Sequence, residues 1–153
     1  MATQLKDNGK LPVFSANVFE PFGRIDESLI DDFSAPSIIW GIDGDWMVNV
    51  IPANESFYPT DHCGVMRVKS ADVLPKVLAH FLLKAGEQVG FDRNHRAAMD
   101  RVKALSLIVP PLADQKKAVA EVEKYEAEIA KAEAILPTFA ERKRVVLLKH
   151  LNG

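Results

Sequence analysis

The chain has very little of what several classes of protein depend on. Cys63 is its single cysteine in 153 residues, so no disulfide can form within the chain. No apolar run approaches the roughly 18 residues that cross a bilayer. The first ten residues, MATQLKDNGK, lack the apolar core of a signal peptide. These absences predict a cytoplasmic protein without a membrane span or a disulfide framework.

Motifs for cofactors and metals are also missing from the sequence. It contains no CxxC pair, no second histidine cluster to complete a zinc shell and no glycine-rich turn after a strand that would bind a nucleotide cofactor. In DNA adenine methyltransferases an Asn or Asp precedes a proline pair and binds the target amino group. Here Val109 precedes the pair and cannot do so. We therefore expect no metal, no cofactor and no methyl transfer by this chain alone.

The charge is unevenly distributed along the chain. The net charge is −2, with 48% hydrophobic and 26% charged residues, as in a globular protein. Residues 1–66 hold three Lys/Arg and ten Asp/Glu, whereas residues 67–153 hold sixteen Lys/Arg and eleven Asp/Glu. A local basic face is therefore compatible with the acidic mean.

The first two thirds of the chain carry signals of short strands. LPVFSANV is rich in β-branched and aromatic residues, and CGVMRVK alternates apolar and polar residues. In PSIIWGIDGDWMVNVI, the central GIDGD supplies glycines for a tight reversal, which predicts a hairpin. The strands predicted in this way cover residues 11–18, 37–40, 46–51, 63–69 and 105–109.

A helical period follows the strands. Apolar residues at 73–85 share one stripe, and the position of Pro75 predicts that the helix begins near Leu74. Gly86 and Gly90 are predicted to mark its end. The polar basic loop FDRNHR and a short helical turn in AAMDRVKA come next.

The stretch LSLIVPPLADQKK joins these elements to a long charged helix. Pro110 and Pro111 cannot donate to a strand ladder but suit the first turn of a helix. Asp114 lies where its charge favours a helix N-terminus. A narrow apolar seam then recurs at heptad spacing, which favours pairing with another helix over lying flat on a core. Its members are Ala118, Val122, Tyr125, Ile129, Ala132, Leu136 and Phe139. Pro137 is predicted to break this helix and Thr138 to cap another.

These blocks resemble one family. VPPLADQKKAVAEVE is similar to the signature that closes each target recognition domain in type I restriction–modification specificity subunits. LPVFSANV with its following FG, SIIWGIDGDWMVN, YPTDHCGV and GFDRNHRAAMDRVKAL also resemble this family. The blocks that resemble this family span roughly residues 10–153. They also resemble the C-terminal specificity part of fused adenine-N6 DNA methylases.

The resemblance implies an α+β fold, in which a curved β-sheet target recognition domain with small helices is followed by a long helical arm or helical hairpin. Residues 1–110 would form the DNA target recognition domain and residues 111–153 the spacer and dimerisation arm. The domain would read half of a bipartite target on double-stranded DNA. The arm would dock a DNA methyltransferase subunit, and in some systems a restriction subunit. With one such unit here, a full target requires a second copy, as in a homodimer, or a larger parent protein.

Polar residues on strand ends and loops are the candidates for DNA contact. The arginine side chain can form two hydrogen bonds to guanine, and the asparagine side chain can form two to adenine. Both side chains can also bind phosphate. The loop Arg93, Asn94, His95 and Arg96 is the first choice, against the alternative of a solvated loop. Ser15 and Asn17 either face a groove or form a turn. The remaining candidates are Lys10, Asp43, Asp45, Thr60, His62, Arg101 and Lys103.

Two other functional hypotheses remain open. The acidic first half also suits an interaction or antirestriction-like protein that docks on the methyltransferase without reading DNA. A small hydrolase would need Asp43, Asp45 and His62 in one cleft. The Gly-rich reversal explains the two aspartates as turn residues. We therefore favour a non-catalytic sequence-recognition module.

Overall fold

A computed structural model of the chain describes residues 5–151, which form two compact units. We call the unit that ends at Gln115 the head, and the unit that begins at Lys116 the arm. The predicted α+β class is confirmed, with two small open sheets and a long C-terminal helix. The elements are β1 (Leu11–Phe14), β2 (Gly23–Ile25), β3 (Ser37–Gly41), β4 (Val48–Ile51), β5 (Tyr58–Pro59), β6 (Cys63–Arg67), α1 (Pro75–Val89), α2 (Met99–Lys103) and α3 (Leu112–Leu151).

The strands form two three-stranded sheets. One has the order β2–β1–β5, with β1 antiparallel to β2 and parallel to β5. The other has the order β4–β3–β6 and is antiparallel throughout. The predicted hairpin is confirmed as β3–β4, with Trp40 paired to Val48 next to the turn. The strand predicted at 11–18 ends earlier, at Phe14, because the chain turns away after Ser15.

Strand β3 is the centre of the head and is buried along its whole length. Its nearly continuous apolar sequence, SIIWG, is typical of a strand covered on both faces. Ile38 and Trp40 face one core, shared with α1, and Ile39 faces the other. The first core contains Ile38, Trp40, Val48, Ala79, Leu82, Phe91, Ala97 and Val102; the second contains Phe14, Val18, Ile39, Ile51, Phe57 and Cys63. Burial raises the pKa of the Cys63 thiol to about 12.

Helix α1 begins at Pro75, as predicted, and ends at Gly90, whose φ of 76° is left-handed. The prediction that Gly86 also marks the end is wrong, since Gly86 lies inside the helix. Its missing side chain makes room for the indole of Trp46, which a Cβ would strike. The indole Nε1 donates to the carbonyl of Leu83 at 2.8 Å. Gly86 is therefore a packing residue.

The predicted last strand, LSLIV at 105–109, is not a strand. The segment runs without regular structure between α2 and the proline pair. Leu105 and Leu107 pack against the first core, whereas Ile108 is 89% exposed. The apolar residues that indicated a strand thus mark packing on the core, without a neighbouring strand to supply a hydrogen-bonded ladder.

Among the described residues of the head, two polar ones are buried, and Gln115 is one of them. Its Oε1 accepts from the backbone N–H of Leu74 at 2.8 Å, just before α1. Its Nε2 donates to the carbonyls of Asp72 at 3.0 Å and Pro110 at 2.7 Å. A single amide therefore satisfies three backbone groups and holds the first turn of α3 to the segment that precedes α1.

The arm is one helix. Helix α3 runs through Pro137 to Leu151, so the predicted break at this proline is wrong. Of the two predicted forms, the long helical arm is confirmed and the helical hairpin is not. Thr138 does not cap a new helix; its hydroxyl donates to the carbonyl of Ile135 at 2.8 Å. A proline removes one helical hydrogen bond, but the surrounding Ala, Glu and Lys residues favour the helix. Within residues 5–151, no helix is both long and apolar enough to span a membrane.

Candidate nucleic-acid interface

Four segments of the head that are distant in sequence meet at one edge. They are the end of β1, the β3–β4 turn, the β5–β6 turn and the loop after α1. Backbone and side-chain contacts join them. We call the surface that they form the loop face; it consists of residues 15–17, 42–47, 60–62 and 92–96.

The β3–β4 turn is the hub of the loop face. The N–H of Ile42 donates to the carbonyl of His62 at 2.9 Å, and its own carbonyl accepts from Ala97 N–H at 3.0 Å. The carbonyl of Ala16 lies directly against Gly41, where a Cβ would not fit. The indole of Trp40 donates to the carbonyl of Ala97 at 2.9 Å. The residues next to Ile42 and Ala97 are therefore held in fixed positions.

Asp43 bridges two other predicted DNA-contact residues. Its Oδ2 pairs with Nδ1 of His62, and its Oδ1 pairs with Nε of Arg96. The Asp43 side chain is 26% exposed, whereas those of His62 and Arg96 are 50% and 56% exposed. His62, and to a lesser degree Arg96, hold the pKa of Asp43 below its ordinary value. The carboxylate is thus an ionised brace between two exposed polar groups.

The basic loop after α1 has an ordered backbone. Oδ1 of Asp92 accepts from the N–H groups of Asn94 and His95, both at 2.7 Å, and these bonds lower the pKa of Asp92. The ring of His95 packs edge-on against Phe91, with centroids 5.4 Å apart. Arg93 and Asn94 are exposed. The loop therefore offers its polar side chains from a fixed backbone.

Ser15 and Thr60 lie side by side at the end of β1, with their hydroxyls 3.2 Å apart. Thr60 N–H also donates to the carbonyl of Phe14 at 2.9 Å. The side chain of Asn17 accepts from the N–H groups of Phe19 and Glu20, at 3.0 and 3.2 Å. The Asn17 side chain thus stabilises a turn, and the residue itself lies on the loop face.

The other predicted contact residues have different positions. Asp45 is exposed at the tip of the β3–β4 turn. Arg101 donates from Nη1 to the carbonyl of Arg96 at 3.2 Å, which places α2 beside the loop face. Lys103 is exposed in the last turn of α2. Lys10 precedes β1, whereas Ser15 follows it, so the two lie roughly 15 Å apart along the strand.

Sequence reasoning missed two features near this surface. The first is Asp43 as a brace, because pairing among residues 43, 62 and 96 depends on the fold. The second is a pair of exposed aromatic rings in the turn after β1, Phe19 at 61% and Phe22 at 69% exposure. The sequence FEPFG could have indicated these exposed rings, since it places two phenylalanines in a turn.

Between residues 5 and 151, no group of three or more His, Cys, Asp or Glu side chains could hold a metal ion. Asp43 and His62 do meet, as a hydrolase would require. The carboxylate, however, is engaged by both His62 and Arg96, and its lowered pKa does not suit a general acid.

The family model for the type I restriction modification DNA specificity domain matches residues 1–136. The chain belongs to this family. The suspected resemblance is thereby confirmed over most of the sequence. No curated protein and no solved structure matches the chain.

Membership of the DNA specificity domain family settles the broad function. Such domains recognise DNA sequence in restriction–modification systems, and they are the non-catalytic components of those systems. The family thus supports the recognition hypothesis over the hydrolase built on Asp43, Asp45 and His62. In this chain, the loop face is the surface of the head on which most of the predicted contact residues meet.

Proposed function

We propose that the loop face reads one half of a bipartite target on duplex DNA. The observation that carries this proposal is the meeting of four segments, each with predicted contact residues, on one edge of a DNA specificity domain. Hydrogen-bonding groups of several types lie there, and base edges in the major groove are read by such groups. Arg93 and Asn94 are the exposed positions suited to phosphate contact.

We further propose that the arm joins the head to a second copy of the chain and to a DNA adenine methyltransferase, and in a complete system to a restriction subunit. Every described residue from Ala120 to Leu151 is exposed. Val122, Tyr125, Ile129 and Leu136 of the seam are 50–64% exposed. An apolar seam of this length on a helix of about 60 Å is a docking surface. The proposed place of action is the cytoplasm.

The charges of the arm favour an antiparallel pair. Residues 121–133 hold five Glu and two Lys, whereas residues 141–149 hold one Glu and four Lys/Arg. Antiparallel arms that cross near Leu136 place each acidic stretch opposite a basic one. Parallel arms would place like charges together, which is unfavourable. Two heads brought together in this way would supply the two halves of a bipartite target.

Replacing Arg93 and Arg96 together by alanine should weaken binding to a random-sequence duplex about tenfold at 0.1 M salt, because the phosphate contact of Arg93 is lost and fewer counterions are released on binding. The slope of log K against log salt should fall by about one, since one phosphate contact is lost. The measurement is fluorescence anisotropy of a random-sequence duplex at several salt concentrations. If both affinity and slope stay unchanged, the assignment of this loop is wrong.

A matched control removes two cations elsewhere in the head. Lys6 and Lys69 are exposed and lie away from the loop face: the backbone N–H of Lys6 donates to the carbonyl of Arg24 in β2, and Lys69 follows the end of β6. Lys6→Ala with Lys69→Ala changes the net charge equally. We expect it to leave the slope close to that of the unaltered chain. An equal loss in both double variants would indicate nonspecific attraction to total charge.

One observation favours the second candidate function, a protein that docks on the methyltransferase without reading DNA. The loop face carries four aspartates, Asp43, Asp45, Asp61 and Asp92, beside only two arginines. The same binding measurement separates the two functions. A chain that docks only should bind the methyltransferase and show no affinity for duplex DNA even at low salt.

A further inference from the structure

Arg96 is held differently from the other arginine of its loop. Its Nε is paired with Oδ1 of Asp43, while Arg93 lies exposed on the turn made by Asp92. An arginine bound through Nε keeps its two terminal nitrogens for another ligand. These two donors match the O6 and N7 acceptors on the major-groove edge of guanine.

The backbone on both sides of this pair is fixed. Ile42, which precedes Asp43, is hydrogen-bonded to both His62 and Ala97. Ala97, which follows Arg96, accepts from the indole of Trp40 at 2.9 Å. Arg101 donates to the carbonyl of Arg96 itself. The guanidinium is therefore positioned before any ligand arrives, which reduces the entropy lost on binding.

His62 completes the brace from the other side of the carboxylate. Its Nδ1 pairs with Oδ2 of Asp43, so both oxygens of the carboxylate are engaged and its plane is fixed. The Asp43 side chain is the least exposed of the three. The direction in which Oδ1 meets Arg96 is therefore set by a carboxylate that is held through both of its oxygens.

The charge of Asp43 decides between two ligands for Arg96. A carboxylate beside the guanidinium offsets its attraction for phosphate and repels the phosphate itself. A neutral base edge meets no such repulsion. A braced arginine is thus better suited to a base than to the DNA backbone, whereas Arg93, without this carboxylate, is suited to phosphate.

We infer that Asp43 is a positioning residue that presents Arg96 to a guanine in the major groove, so that the half-target read by this head contains a guanine. This inference rests on the proposed function, DNA reading by the loop face. It adds the identity of one base and divides the two arginines of the loop into a base reader and a phosphate contact.

The test is enrichment of a random-sequence duplex pool by the full chain, followed by sequencing. The unaltered chain should enrich a sequence with at least one strongly preferred guanine. Arg96→Lys keeps the positive charge but removes the pair of terminal guanidinium donors. It should reduce the preference at that guanine by a factor of about 5 to 150, which is what a bidentate contact supplies. Arg93→Lys, the matched control in the same loop, should leave the preference unchanged.

The variant Asp43→Asn separates the positioning of Arg96 from the effect of the Asp43 charge on DNA affinity. It removes a negative charge, so the affinity for random DNA should stay equal or rise, while the guanine preference falls. If the ion pair were only structural, the affinity for random DNA and the preference for guanine would change in the same direction. Thermal unfolding monitored by tryptophan fluorescence checks that the variant folds.

The outcomes distinguish this inference from the proposed function. If the chain enriches no sequence, DNA reading and the guanine assignment both fail. If it enriches a sequence that lacks a guanine, or whose guanine persists in both Arg96→Lys and Asp43→Asn, the assignment of Arg96 is overturned and DNA reading stands.

Discussion

Replacing Gln115 with leucine should lower the free energy of unfolding of the head by about 2–5 kcal/mol, because three backbone groups lose their partner at once. These groups are the N–H of Leu74 and the carbonyls of Asp72 and Pro110. Leucine fills a similar volume but can neither accept nor donate. Urea unfolding followed by tryptophan fluorescence reports on the head, since both tryptophans, Trp40 and Trp46, lie in it.

Gln88 provides the control for this prediction. It is an exposed glutamine on α1, so Gln88→Leu should change the free energy of unfolding by less than about 0.5 kcal/mol. Gln115→Glu gives a second comparison. Its carboxylate can still accept from Leu74 but faces two carbonyls that it cannot satisfy, so it should also destabilise the head. Equal midpoints for Gln115→Leu and Gln88→Leu would contradict this role of the buried amide.

Replacing Ile129 with glutamate should weaken self-association of the chain about a hundredfold or more, because the twofold pair would remove two carboxylates from water in an apolar seam. Ile129 lies in the middle of the acidic stretch of the arm and is 57% exposed in the single chain. Sedimentation equilibrium of the full chain over a range of concentrations measures the dissociation constant. The effect should exceed that of any surface substitution on the arm.

Ala130→Glu is the matched control, since it adds the same charge one residue away and outside the heptad seam. It should leave the dissociation constant nearly unchanged. A chain that stays monomeric at every concentration would refute pairing with a second copy and leave the methyltransferase as the partner of the arm. Equal weakening by both variants would show that net charge, and not the seam, controls association.

Local patterns predicted much of the fold. The glycines of GIDGD predicted the hairpin, and the position of Pro75 predicted the start of α1, because turn chemistry and proline geometry act over a few residues. The same reasoning failed at residues 105–109. There the apolar residues marked packing on a core, and a strand also requires a neighbour that the sequence does not reveal.

The errors at Pro137 and Gly86 have a related cause. Each residue has a low helix propensity, yet each lies within a helix. The helical neighbours of Pro137 outweigh one lost hydrogen bond, and Gly86 is required by the indole of Trp46. Propensity ranks residues one at a time, whereas these positions are decided by the whole segment or by a distant ring.

The candidate site was predictable as a set of residue types but not as an arrangement. Loop composition indicated Arg93 to Arg96, and the turn indicated Asp43. That Asp43 joins His62 to Arg96 follows only from the fold, which brings together residues separated by 19 and more positions. The role of Gln115 was equally hidden, since a glutamine after a proline pair reads as an ordinary helix residue.

Hydrogen exchange of the chain with and without a duplex carrying its enriched sequence tests the central claim most directly. DNA should slow exchange at residues 15–17, 42–47, 60–62 and 92–96 together, because these segments form the surface that meets the groove. The opposite ends of the strands, around Lys10 and Asp26, should exchange at the same rate in both samples. Protection confined to those opposite ends, or no protection on the loop face, would contradict the account.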